Sequence, residues 1–162
     1  MNDKWIFINK EYLDESRFSP VTNINFIKPE GGLWIAPYNE NSKYSSGWEE
    51  FLINEIGSDT KGLKGTILSI KPDAKILTID SLEDLVKVLE NYEYKNNPIR
   101  FTKLLDFEKL SKDYDAIFLT EKGQYETRLS IPNLYGWDIE CMLVMNFDIL
   151  EEELIIEIKW EM

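Results

Sequence analysis

Residues 64–85, KGTILSIKPDAKILTIDSLEDL, decide the fold class. Gly65 to Ile70 (GTILSI) and Lys75 to Ile79 (KILTI) are short and β-branched, a composition that fits a pleated, half-buried surface. Pro72-Asp73 between them is a turn signal: proline presets its own φ, and aspartate bonds to nearby backbone. Ser81, with Asp84 three residues on, resembles a capping box. Behind it Leu82, Leu85, Val86 and Leu89 recur at i, i+3, i+4 and i+7, which predicts an amphipathic helix.

Towards the N-terminus, Lys4 to Asn9 (KWIFIN) reads as a strand, and Gly31-Gly32 feeds a second one, Leu33 to Ala36. Ser46 caps a helix whose Trp48, Phe51, Leu52 and Ile56 share one face, and Gly57 ends it. Towards the C-terminus, Asn96-Asn97-Pro98 forms a loop, Asp106 caps a short helix through Leu110, and Ala116 to Thr120 is a strand. Glu121 to Gly136 reads as loop, with Pro132 and Gly136 as breakers. Strands near Ile139 to Met145 and Leu154 to Trp160 close the chain. Helical material in the first half and strands in the second, without regular βαβ alternation, predict an α+β domain over residues 1–162 with a largely antiparallel sheet.

A chain of 162 residues fits one domain, and 43% hydrophobic with 13% aromatic residues supports a real core rather than disorder. No apolar run approaches the ~18 residues of a membrane span, and MNDKWIFINKEYLDE lacks a signal-peptide layout, so a cytoplasmic chain with no membrane partner is expected. The lone Cys141 agrees with a reducing compartment. A net charge of −12, from 18 basic and 30 acidic residues, makes nucleic acid an unlikely partner, because phosphate binding draws on clustered Lys and Arg. A DNA mimic would need long acidic rows, and only Glu151, Glu152 and Glu153 are consecutive.

The chain has no histidine. That removes Ser-His-Asp and Cys-His catalysis and HExxH zinc sites, and leaves Cys141 as a small buried hydrophobe. A carboxylate-only cation site stays formally open, although Asp113 and Asp115 read better as a loop entering a strand. Neither a P-loop nor a Rossmann fingerprint is present.

Between Lys28 and Leu52 (KPEGGLWIAPYNENSKYSSGWEEFL), Trp34, Tyr38, Tyr44 and Trp48 crowd a polar connector. Loops usually bury few large aromatics, so this stretch suits a flat heteroaromatic ring. Helical spacing explains Trp48, and strand position explains Trp34, at least as well as a ligand does. Tyr38 and Tyr44 lie in the loop and are the better stacking candidates.

At these residues the chain resembles the ADP-ribosyltransferase-like fold, the superfamily of NAD-cleaving toxins and poly-ADP-ribose polymerases. Gly32-Leu33-Trp34-Ile35-Ala36 takes the place of that family's Gly-rich strand, and Ser42 to Trp48 that of its Ser-rich segment. Residues 64–85 are similar to its central strands and following helix. The family's catalytic Glu begins a strand, as Glu140 does in Glu140-Cys141-Met142-Leu143-Val144-Met145-Asn146. The resemblance implies a split, largely antiparallel sheet core with flanking helices.

It also implies NAD as substrate, a protein or other macromolecular acceptor, Glu140 as the catalytic carboxylate, and Asn9, Tyr38, Tyr44, Ser45 and Trp48 near the cofactor. A small toxin or phage effector would fit that activity. The family's first-strand Arg or His is replaced here by Asn9 or Lys10, which leaves open a non-catalytic binding module of the same fold. An RNA 2′-phosphotransferase relative would need a basic groove, against the net charge. Asp138 and Glu140 are read as sharing a strand face, either as a catalytic pair or as a solvated edge. Arg128 is either a phosphate contact or an exposed surface residue.

Overall fold

The computed structural model describes residues 3–57, 61–99 and 102–158. Its seven strands are β1 (Trp5–Asn9), β2 (Leu33–Pro37), β3 (Lys64–Ile70), β4 (Ile76–Ile79), β5 (Ala116–Leu119), β6 (Cys141–Val144) and β7 (Leu150–Glu157). Four α-helices accompany them: α1 (Gly47–Phe51), α2 (Leu82–Tyr92), α3 (Phe107–Asp113) and α4 (Glu121–Thr127). The class is α+β, as the sequence predicts, but the expected order of helices first and strands second is not found: four of these seven strands precede residue 80, and three of these four helices follow residue 81.

The strands lie in the order β4-β5-β6-β2-β1-β3-β7. Among the described residues only β4 and β5 pair in parallel, joined through α2 and α3, as a parallel pair requires a crossover. All other pairings are antiparallel. The turn at Pro72-Asp73 is present, with Ala74 N–H donating to the Lys71 carbonyl at 3.1 Å. The two strands it joins nevertheless go to distant positions in the sheet, β3 beside β1 and β4 at the far edge.

The sheet is not fully split, yet its continuity across the middle is narrow. β1 and β2 pair only at Trp5↔Pro37 and Ile6↔Ala36, whereas β1 and β3 pair along all five residues of β1. The halves β4-β5-β6-β2 and β1-β3-β7 thus meet at a short seam.

Alternation along β6 divides the core. Leu143 packs with Leu85, Leu89, Phe107, Leu110 and Trp137, on the face covered by α2 and α3. Met142 and Val144 pack with Trp5, Leu68 and Ile149 on the opposite face. On α2, Leu85 and Leu89 are buried while Val86 is exposed, so the apolar face is narrower than its spacing predicts.

Ser81, Ser46 and Asp106 cap α2, α1 and α3, each side chain accepting a backbone N–H from the first turn. After α1 the chain continues as a π-helical turn, Leu52–Ile56, and stops at Gly57 with φ of 69°. In the turn before β2, Gly31 has φ of 76°, and a Cβ there would lie 2.2 Å from the Pro20 carbonyl oxygen. Only glycine fits both conditions.

Two expectations are corrected. Glu121 to Gly136 is not all loop: Thr120 caps α4 through the Gly123 N–H, and Thr127 Oγ1 donates back to the Gly123 carbonyl. The last strand starts four residues early, at Leu150, because Leu150, Glu151 and Glu152 already pair with β3. A bulge at Glu153, opposite Ile67 and Leu68, shifts the register, and on this edge strand Leu154 and Ile155, on opposite faces, are both exposed. Trp160, read as its last residue, lies outside the described residues.

Candidate functional site

The seam between β1 and β2 opens into a cavity of about 330 Å³. Past Ile6 and Ala36 the two strands no longer pair, and Phe7, Ile8, Leu33 and Trp34 line the space between them. Trp48 of α1 and Trp137, just before β6, complete an aromatic wall. A volume of this size lies at the small end of ligand cavities, ~300–1,000 Å³, and its apolar lining with few polar groups fits that class.

The tryptophans are not equivalent. Trp137 is buried and meets Trp34 edge-on, with ring centroids 4.8 Å apart at 86°. Its indole N–H donates to the Ile27 carbonyl at 3.3 Å, so it is a core residue that also shows one side to the cavity. Trp48 is half-buried and stacks on Phe51 at 5.6 Å. The Lys28 ammonium sits 5.3 Å above the Trp34 ring.

Asp138 and Ile139 form a wall shared with a second cleft, of about 390 Å³. That cleft is polar, and Glu140, Glu121, Glu50, Asn39, Asn54 and Gln124 reach it. Glu140 is half-buried and accepts the Glu121 backbone N–H at 3.1 Å. Its pKa is raised above the ordinary glutamate value, chiefly by desolvation; the bond from Glu121 works in the opposite direction. Asp138 and Glu140 do not share a strand face, since both precede β6 and lie in the bend leading into it.

The remaining sequence candidates do not converge on Glu140. Tyr38 and Ser45 line a third recess of about 160 Å³ beside the end of β7. Ser45 is already engaged: its backbone N–H donates to Glu49 Oε2 at 2.7 Å, and its hydroxyl donates to the same oxygen. Glu49 in turn gives its N–H to Ser46 Oγ at 3.2 Å, a reciprocal cap at the start of α1. Tyr44 is half-buried, with the Asn54 amide 3.5 Å from its hydroxyl and the Lys43 ammonium over its ring. Asn9 ends β1 exposed, its side chain accepting the Lys10 N–H, and lines none of the three spaces described.

Other candidates take structural roles. Asp115 accepts the Lys75 N–H and the Asn146 amide, stapling β4 to the end of β6. Asp113 accepts the Tyr92 hydroxyl at 2.6 Å, which pushes that phenol up to about 12. Among the described residues no cluster of Cys, Asp and Glu is placed to hold a metal ion. Arg128 is exposed. Burial pushes the Cys141 thiol up to about 12, as expected of a non-nucleophile. No helix among the described residues is long and apolar enough to cross a membrane.

Lys28 was not among the sequence candidates, and its position one residue before the Pro-Glu-Gly-Gly turn is the signal that could have marked it. Compared with known protein families, curated proteins and solved structures, the chain finds no match.

Proposed function

We propose that this chain is an NAD-dependent ADP-ribosyltransferase with an ADP-ribosyltransferase-like fold, transferring ADP-ribose to a protein acceptor. The observation that carries the reading is the shared wall at Asp138 and Ile139. It sets an aromatic cavity at a sheet seam directly beside a cleft containing a half-buried glutamate. The nicotinamide ring occupies the tryptophan cavity rather than the tyrosine loop, and the ribose crosses the wall towards Glu140.

The bond from ribose C1′ to the nicotinamide nitrogen then breaks, and its electron pair leaves with nicotinamide. Positive charge develops on the ribose, and the acceptor nucleophile bonds to C1′ as it loses its proton. A carboxylate at that ribose stabilises the oxocarbenium-like state more than the ground state. Partial burial strengthens its field, and the bond from Glu121 fixes its orientation without a cost at the moment of reaction.

The second reading is a binding module of the same fold. It draws support from Asn9, which stands outside the cavity where the family carries a basic anchor. Nicotinamide release from NAD, compared between wild type and Glu140→Gln, tests the proposal. The expected loss is at least about a hundredfold, the usual cost of one transition-state electrostatic contact. Release that Glu140→Gln leaves unchanged defeats the site, and NAD binding without release favours the module.

A further inference from the structure

We infer that Lys28 is the anion-binding residue of the tryptophan cavity and takes the phosphate of a ligand whose ring lies among Trp34, Trp48 and Trp137. The inference rests on the proposed nicotinamide reading and adds to it the group that holds the charged part of the dinucleotide.

Three observations lead to Lys28. It lines the cavity, as neither Asn9 nor Lys10 does. It is half-buried, and among the described residues it enters no ion pair, although acidic residues outnumber basic ones by 30 to 18. Its ammonium lies over the face of Trp34, at 5.3 Å, and the only other group it acts on electrostatically among the described residues is the buried Cys141 thiol, not a carboxylate. Asp138 lines the same cavity but is not within ion-pair distance. An ammonium left without a carboxylate, over the face of an aromatic wall, is placed to meet a ligand that carries both a ring and an anion.

Its backbone is also fixed. Residues Thr22 and Glu30 exchange two backbone hydrogen bonds, of 2.9 and 3.0 Å, which close the loop containing Lys28. Trp137 holds the neighbouring Ile27 carbonyl, and Asn23 ties the start of the same loop to α3 through Asp106, Phe107 and Glu108. The flexible part is therefore the side chain alone. It leaves the Trp34 face when a ring arrives and moves to the phosphate.

The test is a titration of tryptophan fluorescence with NAD and, separately, with nicotinamide, which lacks the phosphates. Wild type, Lys28→Gln and Lys28→Arg are compared. Lys28→Gln should weaken NAD by about tenfold or more, the loss of one charge-assisted contact, and leave nicotinamide unchanged. Lys28→Arg should retain most NAD affinity, and added salt should weaken NAD in the wild type more than in Lys28→Gln. Equal weakening of both ligands by Lys28→Gln would assign the residue to packing and overturn the inference. Unchanged NAD binding in Lys28→Gln, with nicotinamide still bound, overturns it alone. If nicotinamide does not bind the wild type, the nicotinamide reading fails and this inference with it.

Discussion

The Glu140 carboxylate accepts the backbone N–H of Glu121 at 3.1 Å, so the acid that precedes β6 also satisfies the first turn of α4. Glu140 is thus held by the fold as well as offered to the second cleft. Its surroundings conflict: desolvation, with the nearby Glu121 charge, raises its pKa, and the N–H bond lowers it. Desolvation prevails.

That shift has a sign for stability. Unfolded, Glu140 titrates near the ordinary value of 4.5, and folded it holds its proton to a higher pH. Between the two values the folded chain binds more protons, so stability falls as pH rises, and the cost is complete above the folded pKa. Glu140→Gln removes that cost while its amide oxygen still accepts the Glu121 N–H. The variant should melt no lower than wild type at neutral pH, with its advantage fading at acid pH, below the unfolded value. Thermal melts of both proteins across pH check this; a variant that melts below wild type at neutral pH would refute it.

The cavity wall and the core are separable by mutation. Trp137→Ala removes a buried ring that stacks on Phe107 and meets Trp34, so it should cost about 3–5 kcal/mol of stability. Trp48 is half-buried and loses mainly its stacking on Phe51, so Trp48→Ala should cost only about 1 kcal/mol while abolishing nicotinamide binding. Chemical denaturation and a ligand titration on the same two variants give the comparison. A Trp48→Ala protein that binds nicotinamide normally removes Trp48 from the site.

Local patterns in the sequence carried the strands, the caps and α2 to within a few residues, because each depends on neighbours in the chain. The sheet order was not legible, since the places of β3 and β4 are set by partners distant in sequence. The helix α4 is hidden for a physical reason: Pro132 and Gly136 mark the stretch as loop, whereas the helix ends before both, and its Gly123, where a Cβ would lie 2.2 Å from the Ile79 carbonyl oxygen, is what admits it to the sheet. The site divides in the same way. Strand position and helical spacing assign Trp34 and Trp48 to a core, and they cannot register that β1 and β2 part beyond the Ile6–Ala36 pair and leave those rings beside a cavity.

Cys141 should be silent to thiol reagents in the folded protein. It is buried, and a thiol pushed up to about 12 is almost entirely protonated at mildly alkaline pH. Mixing with a disulfide reagent should give one equivalent of reaction only after denaturant is added. Rapid labelling of the native chain would show the cavity side of β6 to be open.

Gly31→Ala tests the turn that delivers β2 to the seam. A φ of 76° strains any L side chain by about 1–2 kcal/mol, and the added methyl meets the Pro20 carbonyl oxygen at 2.2 Å. The total should exceed the strain alone and appear as a lower denaturation midpoint. Gly57→Ala is the control: its φ of 69° brings the same strain, with nothing within 4 Å. Equal effects from the two substitutions would rule out the close approach at Pro20.

Ser45 separates a capping role from the place near the cofactor that the resemblance implies. Its N–H and hydroxyl both go to Glu49, whose own N–H goes to Ser46, so the three residues form one cap at the start of α1. Ser46→Ala should cost about 1 kcal/mol, the usual loss of an N-cap oxygen. Ser45→Ala should cost a similar amount or less, because the Glu49 carboxylate keeps the backbone N–H when it loses the hydroxyl. Neither substitution should change NAD affinity beyond what lost stability explains, since Ser45 lines the small recess beside β7 and not the tryptophan cavity. Calorimetric titration of NAD into Ser45→Ala, well below its melting temperature, decides between the roles. A selective loss of affinity in a fully folded variant would return Ser45 to the cofactor and require α1 to shift towards Glu140 on binding.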